Sequence, residues 1–490
     1  MDGTGINVFL ADVAEVDLGQ NPSINKDEKT DIQHDGVMDS KTLRWRSLRN
    51  MFIFNTCYVL TYTGFWALSN LQSTMNAAGG LGDYSQAVIY VFSMISSLFL
   101  PKLLIDKFGC KNILVVGSLI CCFSIASNMI LRWDVMMTAS VAFGLINGPF
   151  ASSQTFYIDE MATRFQSTIT ENIEFIMATF FGLFTFFTES SQIWGNLISY
   201  YALMNKNQVD ENFSSNSSEC GAGFLPSNND SNTNLDPPTE KQRLVLVGAY
   251  LAMGLLSVLI MIVFMDPLKN DLKETRGCRA ALERFASAFK QLLKPHQYLL
   301  VPLSVYIGME GPFYGNEFTE AFIACSWGVH HVGFVTVCFG VCGALMSLLV
   351  GPLVKCISQM AVLILAALAN VSICIVLFLW EPTPEFKTMY FVIAGVWGMG
   401  DSIWWSQVTA LYGLMFPNDR EAAFSNLYFW SFLGSFLSYS YAKYFTVAVK
   451  INILLCFLLA GMLGYMIGQI RIKCSSREEY VPIPDGGDSS

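Results

Sequence analysis

The sequence predicts an all-α membrane protein with twelve transmembrane helices in two six-helix halves, and three observations carry that expectation. Of 490 residues, 53% are hydrophobic and only 14% are charged. A soluble domain has about 25% charged residues, so the apolar excess here must face lipid. The apolar residues gather into twelve runs, most of them near the length of about 20 residues that a helix needs to cross a bilayer. With the amino terminus inside, twenty of the 29 Lys and Arg fall on the inner side of those runs and seven on the outer, and Lys26 and Lys29 lie in the distal amino-terminal tail. By the positive-inside rule both termini are cytoplasmic.

Residues 1–50 are polar and acidic, lack the pattern of a signal peptide, and read as a disordered cytoplasmic tail. Spans follow at 51–71, 87–104, 112–131, 135–157, 172–201 and 244–265, which make a first half over 51–265. Glu189-Ser190-Ser191-Gln192 interrupts the fifth, which is either one long tilted helix or a broken one. The polar loop 205–243 holds three sequons, starting at Asn212, Asn216 and Asn229, on the side that the charge count places outside. A fourth match at Asn370 lies within a span, out of reach of glycosylation. Cys220 in that loop and Cys325, near the outer end of span seven, are the cysteines on the oxidising side, a candidate disulfide between the halves. Their bonding requires α-carbons within about 7 Å.

Residues 266–297 form a cytoplasmic linker in which Leu282, Phe285, Phe289 and Leu292 recur at helical spacing among Arg279, Arg284, Lys290 and Lys294. That pattern fits an amphipathic helix on the inner leaflet, where basic residues meet anionic lipid, and equally a spacer helix packed beneath the protein. The second half, 298–470, holds spans at 298–316, 332–354, 360–380, 389–416, 423–442 and 451–470. In the cytoplasmic tail, 471–490, Tyr480-Val-Pro-Ile483 has the form of a Tyr-x-x-apolar sorting signal for a clathrin adaptor. Placing Ser153-Gln154 of span four over Ser406-Gln407 of span ten sets Asn147-Gly148-Pro149 against Gly400-Asp401-Ser402, so the halves read as a repeat.

A net charge of −10 without a basic, aromatic-laced stripe excludes nucleic acid as a partner. Most of the 13 cysteines sit inside apolar runs as small hydrophobes, which argues against a disulfide framework. His330-His331 lies beside Cys325 without a second cluster to complete a zinc set, so neither metal nor cofactor is expected. No GxSxG, phosphate-loop or HExxH motif occurs, so no enzyme is expected.

Twelve spans in two halves around a cytoplasmic linker resemble the major facilitator superfamily. Its loop between spans two and three carries the pattern Gly-x-x-x-Asp-Arg/Lys-x-Gly-Arg-Arg/Lys. Here Asp106, Lys107, Gly109 and Lys111 fit that pattern, while Lys102 replaces its first Gly and Cys110 its first Arg. The second-half counterpart, Gly351 to Lys355, has Lys where the acid is expected. In the superfamily this loop latches the halves in one conformation, so its partial loss weakens the expectation of ordinary alternating access. Five further stretches resemble the uncoordinated-93 (Unc-93) family, its A-type homologues in particular: Ser69 to Ser73, Gln192 to Ser199, Gly395 to Asp401, Ala410 to Gly413 and Glu421 to Asn426. The similarity runs over about 51–470. The family's founding member is regarded as an accessory subunit of a two-pore-domain potassium channel, and another branch escorts nucleic-acid-sensing receptors between compartments. The resemblance therefore implies a chaperone-like or regulatory role on an inherited transporter scaffold, and the expectation is a plasma-membrane protein that modulates potassium conductance and cycles through endosomes.

Charge deep inside the spans is confined to Glu189, Glu310 and Asp401, with Glu174 near the start of span five, and no Lys or Arg lies inside a span to pair with them, Lys102 standing at the inner end of span two. At about 1.5 Å per residue, Glu310 lies about 18 Å from the inner boundary and Asp401 about 18 Å from the outer boundary of a core about 30 Å thick. A carboxyl group at such depth without a basic partner is protonated, hydrated or bound to a cation. In the facilitator fold spans seven and ten line the central cavity. The two acids thus suit a proton-coupled transporter of a small solute, the alternative to a regulator, or a structural hydrogen bond such as one from Glu310 to a carbonyl freed near Pro312. Trp66, Trp397, Trp404 and Trp405 read as packing rather than as an aromatic wall around a substrate.

Overall fold

Twelve long helices account for most of the chain in the computed structural model, which describes residues 40–76, 78–170, 173–203, 220–225, 237–268, 295–416 and 420–478. The first half comprises α1 (Ser40–Ser69), α2 (Leu81–Phe99), α3 (Cys110–Ser127), α4 (Trp133–Gln166), α5 (Ile173–Leu203) and α6 (Glu240–Phe264). In the second half α7 (Pro295–Pro312) runs on as a π-helix, Phe313–Ala324, and a last α-turn, Cys325–Trp327. The remaining helices are α8 (Val329–Ile357), α9 (Gln359–Leu379), α10 (Lys387–Met415), α11 (Arg420–Tyr441) and α12 (Val447–Glu478). No strand occurs among the described residues. The chain is a multi-pass membrane protein.

By length and composition alone, six of these helices are apolar enough to cross a membrane: α3, α4, α6, α8, α9 and α12. The other six are diluted by polar residues that the bundle itself buries, among them Asn55 of α1, Gln86 of α2, Glu189 of α5, Glu310 of α7, Asp401 of α10 and Asn426 of α11. Those side chains need partners that lipid lacks, so they turn inward.

Two boundaries differ most from the sequence-based expectation, those of α1 and α7, and the fifth span takes the first of the two forms open to it. α1 begins at Ser40, inside the segment read as a disordered tail. Its first turns project past the bilayer span, where Arg49 meets Asp266, just beyond α6, at 2.6 Å and Asn50 donates to the same carboxylate at 3.1 Å. α5 is continuous through Glu189-Ser190-Ser191-Gln192, because the Ser190 and Ser191 hydroxyls donate back to the carbonyls of Phe187 and Thr188 and so need no outside partner. α7 extends eleven residues past the expected end at 316, since Asn316, Glu317 and Glu320 are buried by the bundle rather than exposed at a helix end.

The two halves meet where α2 packs on α11 and α5 packs on α8. Contacts across this seam gather on the face opposite the chain termini. There Tyr84 and Tyr444 share a hydroxyl hydrogen bond of 2.7 Å, Tyr90 stacks on Tyr439, and Tyr200 meets Phe334. Toward the terminal face, a Cβ added at Gly182 of α5 or at Gly351 of α8 would meet nothing within 4 Å. Within each half the same close approach recurs. A Cβ at Gly144 of α4 would fall 2.5 Å from the Ile89 carbonyl oxygen of α2, and one at Gly398 of α10 would fall 2.2 Å from that of Phe339 on α8.

Candidate functional site

Three carboxyl groups from three helices converge in the interior. Glu310 of α7 is fully buried, and its Oε1 accepts a hydrogen bond of 2.8 Å from Asn370 Nδ2 of α9, which also donates to the Tyr306 hydroxyl. Among the described residues, Glu310 Oε2 and Asn370 Oδ1 have no hydrogen-bond partner. Asn370 faces α10 beside Asp401: its Oδ1 lies 2.6 Å from where a Cβ on Gly400 would stand. Glycine at 400 therefore lets the amide approach the α10 backbone.

Glu189 enters from the other half. Its Oε2 lies 2.9 Å from the Cβ position of Gly343 on α8, next to the Ser402 hydroxyl and the Gly398 carbonyl. Ser402 in turn donates to the Gly343 carbonyl at 2.8 Å. Asp401 is near enough to both Glu189 and Glu310 for their charges to interact. The sequence singled out all three acids but gave Asn370 no role beyond an unusable sequon. That the amide bonds the Glu310 carboxyl follows from the packing of α9 on α10, which no local pattern announces. Such a cluster can hold protons or a cation at the seam between the halves, since a buried carboxylate left unpaired costs several kcal/mol.

The tryptophans do not form one wall. Trp397 stacks on Phe313 and Trp404 packs edge-on against Tyr306, both in the second half, while Trp66 packs with Tyr62 and Phe65 in the first. In the loop between α2 and α3, Gly109 has φ 77°, a conformation that side chains resist, and it starts α3. Lys107 lies 5.3 Å over the Phe108 ring, and Lys111 donates to the Ile262 carbonyl at 3.0 Å, placing a cation on the last turn of α6. The Asp106 side chain is outside the described residues. So are Asn212, Asn216 and Asn229, the amphipathic segment 282–292, and Tyr480 and Ile483.

Cys220 and Cys325 are joined by a disulfide, with their α-carbons 5.8 Å apart. His331 stacks on Trp327, and no group of three or more metal-ligating side chains exists among the described residues. One expectation is corrected: a basic residue does lie within a helix of the bundle. Lys450 is in α12, fully buried and 2.5 Å from Glu317. Sitting one residue before the run read as span twelve, it was counted with the outer loops.

Comparison with known proteins places this arrangement. A family model described as the ion channel regulatory protein UNC-93 matches residues 74–466, across both halves. The chain belongs to the UNC-93 family. Among UNC-93 relatives, the protein unc-93 homolog A of Xenopus laevis is 34% identical over 427 residues, covering 86% of this chain and 92% of the relative. The human protein unc-93 homolog A is 30% identical over 426 residues, 86% of this chain and 93% of its own length. The unc-93 protein of Caenorhabditis elegans, whose name carries a proposed potassium channel regulatory role, is 29% identical over 432 residues, 86% of this chain and 61% of its own. Solved structures with a similar fold are transporters. The xylose transporter XylE from E. coli gives a TM-score of 0.57 at 12% identity, covering 90% of this chain and 99% of that one. The nucleoside transporter NupG gives 0.53 at 14% identity, with 86% and 99% covered. The UNC-93 chain thus has the major-facilitator-like fold.

Proposed function

We propose that this UNC-93 family chain is a regulatory, accessory subunit of a potassium channel, of the two-pore-domain class, and that it modulates potassium conductance and with it the membrane potential. The observation that carries this is the reach of the family match, which runs through both halves from 74 to 466 instead of resting on one shared motif. Supporting it is the motif loop, where Lys111 engages α6 of its own half. A subunit that regulates by helix contact needs no turnover, and it needs neither a cofactor nor catalytic residues.

In this account the protein lies in the plasma membrane and cycles through endosomes, with both termini cytoplasmic, glycans on Asn212, Asn216 and Asn229, and Tyr480 with Ile483 offered to a clathrin adaptor. Its domains are the tail 1–50, the half 51–265, the linker 266–297, the half 298–470 and the tail 471–490. Co-expression with a two-pore-domain channel should change the potassium current, and the two should co-purify. Liposomes containing this chain alone should move no solute. Unaltered current together with proton-driven solute uptake in such liposomes would overturn the proposal.

A second reading, as a proton-coupled secondary transporter of a small solute, is favoured by one observation: the Glu310 oxygen without a hydrogen-bond partner among the described residues, near Asp401, which in turn interacts with Glu189. Glu310→Gln and Asp401→Asn each mimic a fixed protonated state. They should abolish coupled flux under this second reading and leave channel regulation unchanged under the first.

A further inference from the structure

A second charged cluster closes the seam on the face opposite the termini, away from the central acids. Lys450 of α12 donates to Glu317 Oε2 and to the Ala442 carbonyl, each at 2.5 Å. Lys443, just past α11, lies 3.9 Å from Asp83 of α2. Glu320, three residues on from Glu317 in the π-helix, interacts with Asp83, Glu317 and both lysines, yet makes no salt bridge among the described residues. Asp83 and Glu317 are 3% exposed, Glu320 7% and Lys450 0%. Asn316 hydrogen-bonds the Asp83 carboxyl through its side chain, and among the described residues Asp83 Oδ1 and Asn316 Oδ1 are buried without a hydrogen-bond partner.

Charge within this cluster divides unevenly between the halves. Glu317, Glu320, Lys443 and Lys450 belong to the second half, two acids against two ammonium groups. Asp83 belongs to the first half and arrives only when the halves close on this face. Among the described residues, closure therefore sets three buried carboxyl groups against two cations, Lys450 fully buried and Lys443 with its side chain 26% exposed, which leaves one negative charge in surplus. We propose that this cluster is a proton-binding site that takes up one proton as the halves close on this face and releases it as they part. The proton is shared between Asp83 and Glu320, while Glu317 is held by Lys450. Other titratable groups facing the cluster are the phenols of Tyr84, Tyr439, Tyr441 and Tyr444, which ionise at about 10 in water and do not compete.

A one-proton linkage lets the ratio of closed to open forms fall by up to about tenfold per pH unit. Spin labels at Ile130→Cys and Glu385→Cys, exposed positions on this face in opposite halves, read the separation in purified full-length protein in lipid nanodiscs, with the exposed Cys356 and Cys456 replaced by Ser, and with them Cys278 and Cys474, whose side chains are outside the described residues. The wild-type cluster should give a single short distance at acid pH and a growing longer one as pH rises. Asp83→Asn removes the surplus acid without changing its shape and should keep the short distance at every pH, and Glu320→Gln should do the same. Replacing sodium and potassium by choline at fixed pH should change nothing. A wild-type distance insensitive to pH, a pH response that survives both neutral substitutions, or a separation set by the alkali cation instead of by pH would each overturn the proposal.

Discussion

At the scale of single residues, the turns that start α3 and α9 are the same turn made with different residues. Gly109 has φ 77° and ψ 153°, and Ser358 has φ 78° and ψ 152°, the one non-glycine with positive φ among the described residues. A side chain in that region costs about 1–3 kcal/mol, offset here only by a 3.4 Å hydrogen bond from Ala361 N to the Ser358 hydroxyl. Ser358→Gly should therefore raise stability by about 1 kcal/mol net of the added freedom of the unfolded chain, and Gly109→Ala should lower it by about 1–2 kcal/mol. Thermal unfolding of both variants in detergent measures this, and a destabilised Ser358→Gly would mean that the hydroxyl cap outweighs the strain. In the centre, Glu310→Lys places a cation at mid-depth at a cost of at least about 2.5 kcal/mol, which Asp401 offsets only by facing it. Surface expression of Glu310→Lys should fall further when Asp401→Asn is added, whereas strictly additive losses would mean that the two groups do not pair.

Among the elements, α7 does most to join the site to the seam, because one continuous helix carries Glu310 at the centre and Glu317 and Glu320 at the closing face. Its grip on α11 depends on absent side chains: a Cβ at Gly308 would fall 1.8 Å from the Ser431 carbonyl oxygen, and one at Gly434 would fall 2.2 Å from that of Val305. Gly308→Ala must push two backbones apart, so it should cost more than the usual 1–3 kcal/mol of an overpacked core, about 3 kcal/mol or more, seen as lost surface expression. Full expression of that variant would show that α7 and α11 can separate freely. The helices were legible because lipid imposes runs of about 20 apolar residues. Charge stood out against that background, so Glu189, Glu310 and Asp401 were found from the sequence. What escaped depended on packing between distant segments. Asn370 looks like one more residue of an apolar helix until α9 lies on α10, and Glu317 with Lys450 reads as two loop charges until α7 continues as a π-helix beside α12.

For the whole molecule, the question is what holds two repeat halves together on one face only. Packing of α2 on α11 and of α5 on α8, the charged cluster and the Cys220–Cys325 bond all act there, but they do not act alike. The bond joins a loop of the first half to the end of α7 in the second, and Phe224 beside it accepts from Val447 N at 3.2 Å. Sixteen residues, 204–219, separate the end of α5 from Cys220, a length that can extend to about 50 Å. A bond between cysteines 105 residues apart along the chain limits how far the unfolded chain spreads, and the contour length before Cys220 does not by itself forbid the halves from parting in the folded state. Its closed loop of 105 residues corresponds to a stabilisation of about 2–4 kcal/mol, felt in unfolding alone. Replacing Cys220 and Cys325 together by Ser should therefore lower the unfolding temperature while leaving the distance between labels at Ile130→Cys and Glu385→Cys, and its response to pH, as in the bonded protein. Should the closed distance broaden at acid pH once the bond is gone, the disulfide acts as a clamp on the seam, and the charged cluster does not hold the halves without it.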